Sequence, residues 1–179
     1  MKQHGLIDRV ISAVVLDDGM DKGNYSPAES VPLVNNDDCF PDSGSFIYSS
    51  VVLIILYLSG HTCPDISFSV NCCERYIYFS KYSHEEYLKQ NGRYLKLTCD
   101  RGLILNPNRE LLNIDIYPDA DFSGMYGHGN PTDTACVKSR TGYVIAFSYC
   151  PVIWQSKIQT ETVLLTTEAE NITLYHNWR

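Results

Sequence analysis

The most regular alternation of apolar and polar positions lies just past the middle of the chain. Leu112, Ile114 and Ile116 alternate with Asn113, Asp115 and Tyr117, the period of two that marks a half-buried strand. The pattern predicts a strand over residues 111–122, with Asp115, Asp119 and Asp121 on one face if it stays regular through Pro118. Two more strands are predicted over residues 142–147 and 152–156, where aromatic and β-branched residues concentrate, with Cys150-Pro151 turning the chain between them. Thr167-Glu168-Ala169-Glu170 has the spacing of a capping box and opens a helix that runs through Ile172 and Tyr175. The second half therefore reads as a three-strand meander followed by a helix.

The first half follows a different period. Ile7, Val10, Ile11, Val14 and Val15 recur at helical spacing, with enough β-branching to leave a strand as the alternative. Residues 24–45, rich in Asn, Asp, Ser and Pro, form a loop or linker. Residues 46–58 are strongly apolar and read as a buried helix, although periodicity leaves a strand open. Pro64 then starts a second helix, capped by Thr62 or Cys63, which Ile66, Val70, Cys73 and Ile77 carry to about Phe79. Ser83-His84-Glu85-Glu86 predicts a capping box for a third. Its inward face is Tyr87, Leu88, Asn91, Tyr94 and Leu95, and Gly92 weakens it by about 1 kcal/mol against Ala. Asp100-Arg101-Gly102 is a turn and residues 103–105 a short strand, so the change from helices to strands puts a domain boundary near residues 100–110.

Composition narrows the class. A chain of 179 residues that is 44% hydrophobic and 20% charged can bury a core and is globular rather than disordered. The formal charge of −7 argues against a stand-alone nucleic-acid binder, but not against a hydrolase that gathers carboxylates around a metal. Seven cysteines without regular spacing, and no N-terminal signal, favour reduced thiols in the cytoplasm or nucleus. The longest apolar run, residues 51–58, is too short to span a bilayer, so no membrane partner is expected.

The candidate chemistry is acidic. Asp119 and Asp121 at the end of a hydrophobic strand repel each other when ionised, and a bound divalent cation such as Mg²⁺ relieves that repulsion. The competing reading is a solvated acidic turn before Gly124. Glu170 is either a second-element metal ligand or the closing residue of the capping box with Thr167. His61, Cys63, Cys72 and Cys73 contain no Cys-x-x-Cys pair, and adjacent Cys72 and Cys73 point to different helix faces, so no zinc site is expected. No cysteine is marked as an activated nucleophile. An unrelated metal-dependent hydrolase would need its other acids among Asp65, Asp100 and Asp133, which fall in helix starts and loops.

Several motifs, in order, resemble the Pol polyproteins of copia-type retrotransposons. Tyr117-Pro118-Asp119-Ala120-Asp121-Phe122-Ser123-Gly124, Ser139-Arg140-Thr141-Gly142-Tyr143-Val144, Trp154-Gln155-Ser156-Lys157 and Thr166-Thr167-Glu168-Ala169-Glu170 are similar to that family's ribonuclease H segment. Leu56-Tyr57-Leu58, residues 62–71 and Arg93-Tyr94-Leu95-Lys96 resemble the connection from the reverse transcriptase. Gly5-Leu6-Ile7-Asp8-Arg9-Val10 and Ser26-Pro27-Ala28 resemble the approach to it.

The resemblance implies an α+β fold. Residues 1–45 would be an approach segment and linker, 46–100 the helical connection, and 103–179 the first half of a ribonuclease H-like domain. It implies that the parent protein cuts RNA in RNA–DNA hybrids with two Mg²⁺ ions. Asp119 and Glu170 would be catalytic and metal-binding, Asp121 a supporting metal-site acid, and Arg140 and Lys157 weak nucleic-acid contacts. Departures from the family pattern stand beside it. No Tyr-x-Asp-Asp polymerase motif is present, and the family's two further catalytic acids beyond Glu170 are absent. Cys63, Leu97, Leu53 and Asn171 replace the family's usual Arg, Gly, Gly and Tyr. The expectation is a fragment, inactive by itself, of the reverse transcriptase and ribonuclease H region. The alternative is a non-catalytic remnant that binds nucleic acid or the rest of the polyprotein.

Overall fold

A computed structural model describes residues 2–14, 25–28, 33–34, 40–107, 112–128 and 133–177. The chain divides into two compact units, Met1–Leu33 with Asp37–Leu103, and Val34–Asn36 with Ile104–Arg179.

The first unit is helical: α1 (His4–Ala13), α2 (Tyr48–His61), a 3₁₀ turn (Pro64–Ile66), α3 (Ser67–Glu74) and α4 (Tyr82–Thr98). The apolar stripe of α1 buries Ile7 and Val10, so this segment packs into the helical core. Helix α2 buries Val51, Val52, Ile55 and Leu58. Pro64 opens the 3₁₀ turn, where its missing N–H costs nothing. The expected inward face of α4 is buried at all five positions.

Three expectations for this unit are corrected. Helix α3 stops at Glu74 rather than near Phe79. Beyond it the amides of Tyr76, Ile77 and Phe79 bond three residues back, and Tyr76 is pinned by donating to the Leu33 carbonyl at 3.1 Å and stacking on His84. The Ser83 capping box does not form. The Lys81 amide instead donates to His84 Nδ1 at 3.1 Å, while Glu85 accepts from the Ser43 amide and hydroxyl at 3.0 and 2.6 Å. Residues 103–105 form no strand, and Ile104 is 83% exposed.

The second unit is an antiparallel meander, β1 (Ile114–Asp121), β2 (Arg140–Phe147) and β3 (Cys150–Ile158) in that spatial order, followed by α5 (Thr166–Asn177). The architecture is thus helices plus a three-stranded sheet. Two details differ from the pattern-based reading. Ser148 and Tyr149, both in the left-handed region (φ 48° and 66°), make the β2–β3 turn; Cys150 and Pro151 already belong to β3. Pro151 sits at a register shift, where its lack of an N–H is tolerated. The alternation in β1 also fails to bury its apolar side at the start, because Ile114 is 67% exposed and Leu112 more so. Among the described residues, no helix is long and apolar enough to cross a membrane.

Candidate functional site

The end of β1 is built by pairing with β2: Asp119 lies opposite Gly142, Ala120 opposite Thr141 and Asp121 opposite Arg140. Helix α5 buries Ala169 and Thr173, four residues apart on one face. A polar clamp beneath it ties the helix to the sheet. Gln159 Nε2 donates to the Ala169 carbonyl (3.0 Å), Thr141 Oγ1 (3.0 Å) and Thr173 Oγ1 (3.3 Å), and the two threonine hydroxyls lie 3.0 Å apart. Because a carbonyl accepts only from a donor, the Ala169 contact fixes the orientation of the Gln159 amide. Its Oε1 is left buried without a partner.

The clamp sets the position of Glu170, the next residue along α5. Glu170, Thr173 and Leu174 face Pro118, Asp119 and Ala120 across a cavity of about 140 Å³. Asp119 and Glu170 are its two ionisable residues, and both are exposed. Glu170 does not cap its helix. Helix α5 starts at Thr166, the Leu165 carbonyl accepts from the Glu168 and Ala169 amides, and Glu168 Oε2 takes the Leu164 amide at 3.1 Å. The closing acid of the cap is therefore Glu168, which leaves the Glu170 carboxylate for the cavity.

Asp121, predicted beside Asp119, does not line that cavity. Asp115 accepts from Asn113 Nδ2 at 2.6 Å. Arg140 is buried, with Nη1 3.4 Å from Ser156 Oγ, and Lys157 lines a separate cavity of about 150 Å³ with Thr141, Tyr143 and Gln155. The structure does not bring Arg140 and Lys157 together with the acids in one cavity. Among the described residues no three His, Cys, Asp or Glu side chains gather in a metal-sized cluster. His61 Nδ1 lies 2.8 Å from the Tyr57 carbonyl, and its ring stacks on Tyr57. Cys72 and Cys73 are buried in α3, and burial pushes the Cys73 and Cys63 thiols above their usual range. Gln159 and Thr173 were not singled out by sequence reasoning. Their signal was a polar pair at positions that a strand end and a helix face would otherwise fill with apolar side chains.

Comparison with known proteins decides the family. The chain is 34% identical over 123 residues to the retrovirus-related Pol polyprotein from transposon RE2 of Arabidopsis thaliana, a match covering 69% of this chain and 8% of that protein. It is 36% identical over 125 residues to the corresponding polyprotein from transposon TNT 1-94 of Nicotiana tabacum, covering 70% and 9%. The chain belongs to the copia-type Pol polyproteins. It spans less than a tenth of the length of these Pol relatives. This Pol segment is also 30% identical over 127 residues to the secreted RxLR effector protein 161 of Plasmopara viticola, covering 71% of the segment and 83% of the effector. No protein-family model matches the sequence, and no solved structure matches it.

Proposed function

We propose that the chain is the part of a copia-type Pol polyprotein that runs from the end of the reverse transcriptase into ribonuclease H, and that the parent cuts RNA in RNA–DNA hybrids. The observation that carries this reading is the meeting of Asp119 and Glu170, far apart in sequence, at one cavity between a strand end and a helix. The donor set fits Mg²⁺ in kind: two exposed carboxylates, one from β1 and one from α5, line the same cavity, and neither is used in a cap. When bound there, Mg²⁺ supplies an activated water and stabilises the leaving oxygen. The chain's own part is to hold one carboxylate on each wall, through β1–β2 pairing and the Gln159 clamp.

Asp119 and Glu170 are the two candidate acids of this cavity, and on this reading the 179 residues by themselves are expected not to turn over hybrid. A second reading, a non-catalytic binding remnant, is favoured by one finding: the segment makes up most of a much shorter relative, the Plasmopara effector. Fluorescence anisotropy of a labelled RNA–DNA hybrid separates the two. Binding that strengthens with Mg²⁺ and loses that gain in the Asp119→Asn, Glu170→Gln double variant supports the ribonuclease H reading. Binding that ignores Mg²⁺ and falls steeply with salt supports the second. Mg²⁺-dependent cleavage by the chain that disappears in Asp119→Asn contradicts its inactivity.

A further inference from the structure

Asp121 and Arg140 are cross-strand partners at the end of the β1–β2 ladder. Directly opposed residues of opposite charge are close enough to pair. Arg140 Nη1 lies 3.4 Å from Ser156 Oγ on β3, and Asp121 is outside the cavity where Asp119 sits. The turn that follows explains where its carboxylate goes. A Cβ on Gly124 would overlap Asp121 Oδ2 and lie 2.7 Å from both Cγ and Oδ1. The whole carboxylate therefore rests in the space that a side chain at 124 would occupy. Gly124 does not need its freedom for a left-handed backbone; the left-handed residue of this turn is Ser123, at φ 48°. Ser123 Oγ also donates to the Val137 carbonyl at 3.2 Å, tying the turn to the short 3₁₀ segment Thr134–Val137. A turn held in this way gives little when an atom is added, so the side chain of Asp121 must yield instead.

We propose that Gly124 is a positioning residue for the acidic strand end: its missing side chain is the seat that draws the Asp121 carboxylate back over the turn, away from the Asp119–Glu170 cavity. The cavity then presents a cation with two carboxylates rather than three. This consequence rests on the ribonuclease H reading above, whereas the seat itself does not. In a Gly124→Ala chain the carboxylate is expelled from the turn and swings onto the strand face it shares with Asp119 and Arg140.

The test is a double-mutant cycle on the full chain with Gly124→Ala, Asp121→Ala and both, read two ways by NMR. The first readout is the Arg140 Nε–H resonance. The second is the Mn²⁺ concentration that broadens the amides around Asp119 and Glu170. Gly124→Ala is expected to shift the Arg140 resonance and to lower the Mn²⁺ midpoint at least about twofold, the lower end of coupling between contacting residues. In the Asp121→Ala background the same change is expected to do neither. Equal effects with and without Asp121, or no effect in either background, overturn the proposal, since Gly124 would then act through the backbone or not at all. If Mn²⁺ broadens nothing near Asp119 or Glu170 while the Arg140 cycle still shows coupling, the metal reading fails and the seat stands.

Discussion

The Gln159 side-chain amide donates to the Ala169 carbonyl at 3.0 Å, one residue before Glu170. That bond, with those from the same nitrogen to Thr141 and Thr173, fastens the helix that carries one candidate acid to the sheet that carries the other. Gln159→Leu keeps the bulk and removes all three donated bonds. The expected cost is about 2 kcal/mol, because the buried Ala169 carbonyl and threonine hydroxyls lose a donor. Hydrogen exchange should quicken along α5 while α4 is unaffected. Unchanged exchange in α5 would show that the clamp is not what holds the helix.

The β2–β3 turn stores local strain. Tyr149 is exposed and adopts φ 66°, a conformation that disfavours residues with a Cβ. Tyr149→Gly should raise stability by about 1 kcal/mol in urea unfolding. A loss of stability would mean that the ring makes contacts worth more than the strain.

Much of the fold was legible in the sequence, and the misses share a cause. The inward face of α4 follows from a periodicity that burial enforces, the first strand from its alternation, and the other two from their aromatic and β-branched residues. Helix caps were misread at both Ser83 and Thr167. In each case another side chain reached the free amide first: His84 at Lys81, and Glu168 at Leu164. Capping boxes are matched by spacing, and a shift of one or two residues still satisfies the backbone. That Asp119 and Glu170 line one cavity was only one of two readings of Glu170 before the resemblance favoured it, because nothing local says that α5 lies across the end of β1. The clamp that places it there joins three segments distant in sequence.

His84 should matter more than a helix-start histidine usually does. It is fully buried, accepts the Lys81 amide and stacks on Tyr76 with ring centroids 3.9 Å apart. His84→Ala removes the acceptor and the stack together, for a loss of about 3 kcal/mol. His84→Gln, which can still accept from Lys81, should recover part of it. Equal losses in the two variants would assign the effect to the ring alone.

Tyr94 gives the helical unit an alkaline signature. Burial, and then the 2.5 Å hydrogen bond it donates to Asp65, push its hydroxyl up to about 12 from the usual 10.0. The folded state thus favours the protonated phenol. That contribution is complete below pH 10 and is lost as the pH climbs from 10 towards 12. Stability should fall across this interval, and less steeply in Tyr94→Phe. Identical slopes would remove Tyr94 as a source.

The central claim is that Asp119 and Glu170 act together on one cation. The most direct measurement is the paramagnetic broadening of backbone amides on adding Mn²⁺ to the full chain at near-neutral pH. Selective loss of signal at residues 118–121 and 169–174, reversed by excess Mg²⁺ and abolished by Asp119→Asn and by Glu170→Gln singly, is the predicted result. Broadening spread over acidic surface residues, or unchanged in both variants, would contradict the account.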